Sequence, residues 1–201
     1  IDKTKPNICE ITLTGEKGNN DWYKTDVKVE LKAKDEMSGI KEKGLTTSST
    51  EIYNNITTST QTETSSVSWY GYVKDYSSNS TNCSTPIFKV DTTPPTAPTG
   101  GTIAVSGTSK DAIVGEVGNS YDATSGIEEY RYLIKINDST VPKNTDKNFT
   151  TSRNFTRSCG STYYAYAIAI DKAGNISDVH FIGQASDGKN EYSDWSKCTK
   201  E

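Results

Sequence analysis

The chain has 201 residues, a net charge of −4 and only 32% hydrophobic residues, so it can hold one large domain or two small ones with thin cores. The acidic balance and scattered lysines exclude nucleic acid as an expected partner, because phosphate binding needs clustered Lys and Arg. No apolar run of roughly 18 residues offers a membrane-spanning helix, and without an initiating Met or leader the chain reads as a segment of a longer precursor.

In chain order, Cys9, Ile11 and Leu13 alternate with Glu10 and Thr12, which predicts a half-buried strand ending at Gly15. After a polar turn, Trp22-Tyr23 leads into the clearest strand of the sequence. Val27, Val29, Leu31 and Ala33 take one face, and Lys28, Glu30, Lys32 and Lys34 take the other. Burying its three large residues stabilises by roughly 5–8 kcal/mol before entropy. Asp35-Glu36-Met37-Ser38-Gly39-Ile40 is a turn, with Gly39 supplying the permissive backbone. From Lys41 to Gln61 only short Thr/Ser-rich strands are expected. Val67, Trp69, Gly71 and Val73 form another alternating face, Asp75 to Asn79 turns the chain, and Ile87 to Val90 closes the module.

Pro94, Pro95 and Pro98 then mark a joint, since proline lacks a ladder donor and favours an extended spacer. Beyond it, Ile103 and Val105 suggest one strand and Ala112 to Val117 a second. Asp122-Ala123-Thr124-Ser125-Gly126-Ile127 is a turn. Tyr130, Tyr132, Ile134 and Ile136 alternate with charged residues as a third strand, and Asn137 to Asn154 is polar. Gly160 to Ile170 is a long strand closed by Asp171-Lys172-Ala173-Gly174-Asn175. Its bulky Tyr164, Tyr166, Ile168 and Ile170 oppose Ala165, Ala167 and Ala169, so both faces are expected to be covered. Phe181 and Ile182 start a last strand, and a polar tail follows from Asp187.

Three blocks recur in the same order: Asp2 and Asp91 ahead of a D-x-T-x-P-like joint, D-x-x-S-G-I at Asp35 and Asp122, and D-x-[SA]-[SG]-N at Asp75 and Asp171. Recurrence in register is the signature of a repeated module. By this pattern Asp91 is expected to serve the module that follows it. The four cysteines divide at the joint, which selects Cys9–Cys83 and Cys159–Cys198 from the three possible pairings. No C-x-x-C is present and His180 is the single histidine, so zinc is disfavoured. Disulfides imply an oxidising, extracellular location.

Gly160 to Ser177, G-S-T-Y-Y-A-Y-A-I-A-I-D-K-A-G-N-I-S, resembles a segment of bacterial fibronectin type III-like modules. Trp22-Tyr23-Lys24-Thr25-Asp26-Val27 followed by Asp35, Ser38, Gly39 and Ile40 resembles the opening of bacterial Ig-like repeats. The first module departs from the pattern with Ser77-Ser78-Asn79 in place of A-G-N. The resemblance implies tandem β-sandwiches of secreted and cell-surface proteins, and it makes Tyr163 a tyrosine-corner residue whose hydroxyl ties the corner to nearby backbone. Trp195-Ser196-Lys197-Cys198 resembles the start of a thrombospondin type 1 repeat, in which case Cys198 would pair elsewhere.

No nucleophile stands beside a base in any recognisable spacing. Glu128 and Glu129 are adjacent on a strand and face opposite ways, so they read as a strand end, and His180 reads as a solvated strand residue. The sharpest site hypothesis is calcium, held by Asp91, Asp122 and Asp171 with Asn175, and again by Asp2, Asp35 and Asp75. The favoured reading is that each Asp caps its own turn, so no resident metal or cofactor is assigned. Tyr130, Tyr132, Tyr164 and Tyr166 are weighed as a sugar platform against core packing, which is favoured.

The sequence therefore predicts an all-β chain of two tandem immunoglobulin-like (fibronectin III-like) antiparallel β-sandwich domains. These are an Ig-like domain over 1–91 and a fibronectin III-like domain over 92–186, with a polar tail over 187–201. The expected role is a non-catalytic extracellular bacterial stalk or spacer, a monomer within a longer chain, in contact with a host or cell-surface protein or glycan. The alternatives are an accessory carbohydrate-binding or spacer module of a secreted enzyme, and a calcium-rigidified adhesin repeat.

Overall fold

The computed structural model describes residues 1–105 and 111–187; Cys198 and the Trp195 motif lie outside the described residues. The chain divides into two units, Ile1–Thr93 and Pro94–Glu201.

The first unit contains β1 (Ile8–Thr14), β2 (Trp22–Tyr23), β3 (Val27–Lys34), β4 (Ile40–Thr46), β5 (Thr58–Gln61), β6 (Thr64–Val67), β7 (Tyr70–Asp75), β8 (Ser80–Ser84) and β9 (Phe88–Val90). β1 and β5 flank β3 in one antiparallel sheet, and β4 and β8 flank β7 in another. These are the A-B-E and C-F-G sheets of an immunoglobulin-like sandwich. Between them lie Val27, Val29 and Leu31 of β3, Leu45 of β4 and Val73 of β7, all buried as the period of two requires. A third small sheet sets β9 between β2, which runs parallel to it, and β6.

One expectation fails here. The run from Val67 to Val73 is not one strand: β6 pairs with β9, whereas β7 pairs with β4 and β8. The chain changes sheets at Ser68-Trp69 while keeping Trp69 and Val73 turned to the core, so the alternation survives the switch and hides it. Ile87 to Val90 does close the module, as β9, and beside β7 runs a further strand, β8, that alternation does not announce. Its sequence STNCS has no apolar alternation because it is an edge strand with exposed Asn82 and Ser84.

Cys9 of β1 and Cys83 of β8 form a disulfide, which ties the edge strand of one sheet to the edge strand of the other. Gly71 of β7 makes room for it. A Cβ there would lie 2.8 Å from Cys83 Sγ and 2.7 Å from Leu31 Cδ1.

The second unit contains β10 (Thr99–Gly100), β11 (Ile103–Val105), β12 (Asp111–Val114), β13 (Val117–Gly118), β14 (Ile127–Ile136), β15 (Asn154–Thr156), β16 (Thr162–Asp171) and β17 (His180–Ser186). Sheets β11-β12-β15 and β14-β16-β17 repeat the arrangement of the first unit, and β10 pairs with β13. The expected strand from Ala112 to Val117 is broken at Gly115-Glu116. Both faces of β16 are covered. Ala165 and Ala167 pack with Val114, Val117 and Tyr132 between the sheets, while Tyr166 and Ile168 pack with Leu133 and Phe149 on the outer side.

The far end of the unit corrects the expected tail. Asp187 is 8% exposed, and its carboxylate accepts from Arg157 Nε at 2.7 and 2.6 Å as well as from the terminal guanidinium nitrogen. Tyr163 completes this end. Its hydroxyl donates to the Ser158 carbonyl and lies 3.1 Å from Asp187 Oδ2, which is the corner the resemblance implies.

Candidate functional site: the aspartate turns

In the first unit the turn between β3 and β4 is built on Asp35. Its Oδ1 accepts the backbone N–H groups of Ser38 and Gly39 at 2.8 Å each and of Met37 at 3.2 Å. Gly39 takes φ 77°, a left-handed backbone that a side chain would strain. The turn between β7 and β8 is built on Asp75, which is fully buried. Its two oxygens accept Asn79 N–H at 2.8 Å and Asn79 Nδ2 at 2.7 Å. The Tyr76 N–H donates to the Gly39 carbonyl at 3.2 Å, so the two turns brace each other. A bulge between Ile40 and Glu42 opposite Asp75 and Lys74 lets them meet.

The second unit repeats this arrangement and adds a bond from the Gly174 N–H to Asp171 Oδ1 at 2.7 Å. Asp122 Oδ1 accepts from Thr124, Ser125 and Gly126 at 3.1, 2.8 and 2.7 Å. Asp171 accepts Asn175 N–H at 2.8 Å and Asn175 Nδ2 at 2.9 Å. Lys172 N–H donates to the Gly126 carbonyl at 2.9 Å, and the bulge recurs between Ile127 and Glu129. Where Gly174 takes φ 92°, the departing Ser78 takes φ 72°. The motif change therefore keeps the turn. Burial pushes the Asp171 carboxyl up; hydrogen bonds from Asn175 and Gly174 oppose this, and the Asp122 charge adds to it.

Capping thus accounts for these four aspartates. Asp2 adds something further, because one carboxylate oxygen each of Asp2, Asp35 and Asp75 lie within 4.8 Å of one another. Asp2 Oδ1 accepts from the Thr4 N–H at 2.8 Å, whereas Asp2 Oδ2 is closed off from solvent and accepts no hydrogen bond. Hard divalent cations are held by such converging oxygens, and Asp2, Asp35 and Asp75 are the residues that could hold one. Asp91 falls in the first unit. It is fully buried there, its N–H donates to the Tyr23 carbonyl at 2.9 Å and its Oδ1 accepts from Thr93. The expected trio of Asp91, Asp122 and Asp171 is therefore not a site within one unit. Asp122 and Asp171, both of the second unit, have carboxylate oxygens within 4.8 Å of each other.

The other candidate residues separate clearly. Cys9 and Cys83 are bonded; Cys159 lies between β15 and β16, and its expected partner Cys198 is outside the described residues. Tyr132 is 5% exposed and Tyr166 1%, and both belong to cores, with Tyr130 packed against the first of them. No platform of four tyrosines forms. Glu129 pairs with Arg131 at 2.5 Å on the surface.

His180 is not merely solvated. Its Nε2 donates to the Gly100 carbonyl at 2.9 Å. It also stands opposite Ala167 in the β16–β17 ladder, as Cys83 stands opposite Gly71 in the β7–β8 ladder. Ala167 and Gly71 each lie four residues before the capping Asp, Asp171 and Asp75. His180 therefore ties the last strand to β10 at the rung where the first unit uses its disulfide. The repeated D-x-x-x-N blocks, counted backwards, are the signal that could have found it.

No protein-family model matches the sequence, and no curated protein is matched by it. Among solved structures, the chain is similar to the fibronectin(III)-like modules of CbhA from Clostridium thermocellum, with 8% identity, 86% of this chain and 91% of that chain covered, and a TM-score of 0.37.

Proposed function

We propose that the chain is a non-catalytic, extracellular spacer whose first unit is built to carry tension without lengthening. The observation that carries this reading is the position of the Cys9–Cys83 bond. It joins the first strand of the sandwich to the last of its two main sheets, so a pull applied at residues 1 and 93 passes through the bridge and bypasses the intervening chain. The two cysteines are 74 residues apart, and at about 3.4 Å per extended residue the bypassed segment would otherwise release roughly 250 Å. Braced turns at the same unit's end add stiffness, and the bridge itself persists in an oxidising, extracellular setting. Single-molecule stretching tests this. Pulled oxidised, the first unit should give no extension step near 250 Å, and with reductant present that step should appear. Its presence in the oxidised protein would refute the reading.

One observation favours a second reading, a spacer stiffened by calcium: the solvent-sealed, unpartnered Asp2 Oδ2 beside two further carboxylates. For the weak affinities of extracellular calcium modules, about 10 mM calcium should stabilise the first unit by about 1.4–2.7 kcal/mol. The expected result is a rise in Tm for the wild type and none for Asp2→Asn. An unchanged wild-type Tm sinks this reading and leaves the first standing.

A further inference from the structure

We infer that the outer face of the β14-β16-β17 sheet carries a binding site for a neutral pyranose unit of a glycan. A hollow of about 310 Å³ opens there, lined by Ser139, Val141, Tyr164, Tyr166, Phe181 and Gln184. That volume is at the small end of ligand sites, enough for one or two sugar rings. A pyranose presents an apolar C–H face edged by hydroxyls, so it needs an aromatic ring to lie on and uncharged donors and acceptors around it. Phe181 is an exposed ring, 49% accessible, and Val141 of the same lining is exposed as well. Gln184, Ser139 and the Tyr164 hydroxyl are the neutral polar groups, and none of the six lining residues is charged. The larger hollow nearby includes Lys143 and Asp178 in its lining and has no aromatic ring.

The site is held in shape before any ligand arrives. The Tyr166 hydroxyl donates to the Ser139 carbonyl at 3.1 Å, and its ring lies 5.4 Å from that of Phe181. Cross-strand pairing places Tyr164 beside Gln184 and Tyr166 beside Phe181, which puts ring and amide on one face.

The first unit builds the same kind of hollow from different residues. Five residues before its capping Asp75 stands Tyr70, as Tyr166 stands five before Asp171. Tyr70 and Tyr72 pair with Ser84 and Asn82 across β7 and β8, and with Ser49 they line a hollow of about 220 Å³. Glu51 accepts from Asn82 Nδ2 at 3.2 Å and from the Tyr53 hydroxyl at 3.1 Å, which fixes the amide at the rim. Both hollows set tyrosines of a central strand against neutral polar side chains of its edge neighbour, and they share the tyrosine five residues before the capping Asp. A proline-rich peptide also favours aromatic grooves, but it needs ridges spaced over several residues, and this hollow is short.

The inference is independent of the spacer reading. It is tested by calorimetric titration of the full chain with neutral hexasaccharides of glucose and of N-acetylglucosamine. The expected result is binding of at least one sugar that is weakened about tenfold or more by Phe181→Ala, with Tm unchanged because that ring is half exposed. Gln184→Ala should weaken it as well. No binding of either sugar at about 5 mM, a weak-affinity limit, overturns the inference. So does binding that Phe181→Ala leaves unchanged, or a proline-rich decapeptide that binds where neither sugar does.

Discussion

Replacing Cys9 and Cys83 together by serine is expected to cost the first unit about 2–5 kcal/mol and to lower its Tm by roughly 10 °C or more. The loop closed by the bond spans 74 residues, for which chain entropy alone gives about 4 kcal/mol. The native state loses as well. Both sulfurs pack at the core beside Gly71 and Leu31, and serine hydroxyls there would replace apolar contact with polar groups that need partners. The double alanine variant removes that second penalty, so the difference between the two variants separates loop entropy from desolvation. Thermal unfolding followed by circular dichroism reads both. A loss below about 1 kcal/mol in each would mean that the sandwich closes without its bridge.

Asp187→Ala is expected to destabilise the second unit by about 3–5 kcal/mol, the usual cost of removing one partner from a buried ion pair. The Arg157 and Asp187 side chains are 1% and 0% exposed, and the carboxylate meets the guanidinium through more than one nitrogen. Removing it takes away the carboxylate that meets the buried guanidinium beneath the Tyr163 corner. Tyr163→Phe is the control, because it deletes only the hydroxyl that reaches Ser158 and Asp187 and should cost about 1–1.5 kcal/mol. Denaturant unfolding of the two variants measures the order. Equal losses would show that the charge itself is not what holds this end.

Local periodicity made much of the fold legible. The face of Val27, Val29 and Leu31 announces its burial because its alternation is uninterrupted and its opposite face is charged. Asp35, Asp75, Asp122 and Asp171 were readable because a capping carboxylate bonds to backbone two to four residues away, within the span of a motif. The division at Pro94 also brought Cys9 and Cys83 together on paper. What stayed hidden depends on partners distant in sequence. Arg157 and Asp187 are 30 residues apart in segments without pattern. The strand Ser80–Ser84 is held by its neighbour β7 and not by any apolar face of its own. The aromatic hollow on β16 and β17 requires knowing that Tyr166 lies against Phe181, a register that no single strand reveals.

The two edge fastenings differ in kind, and this separates the conditions under which each unit yields. At the shared rung the first unit has a covalent link, Cys83 to Cys9, which only a reductant or a thiol exchange partner opens. The second has one hydrogen bond, His180 to the Gly100 carbonyl, which opens and re-forms within thermal reach and is indifferent to redox state. On the spacer reading, a reductant is therefore expected to loosen the edge fastening of the first unit and to leave the His180 contact of the second as it is.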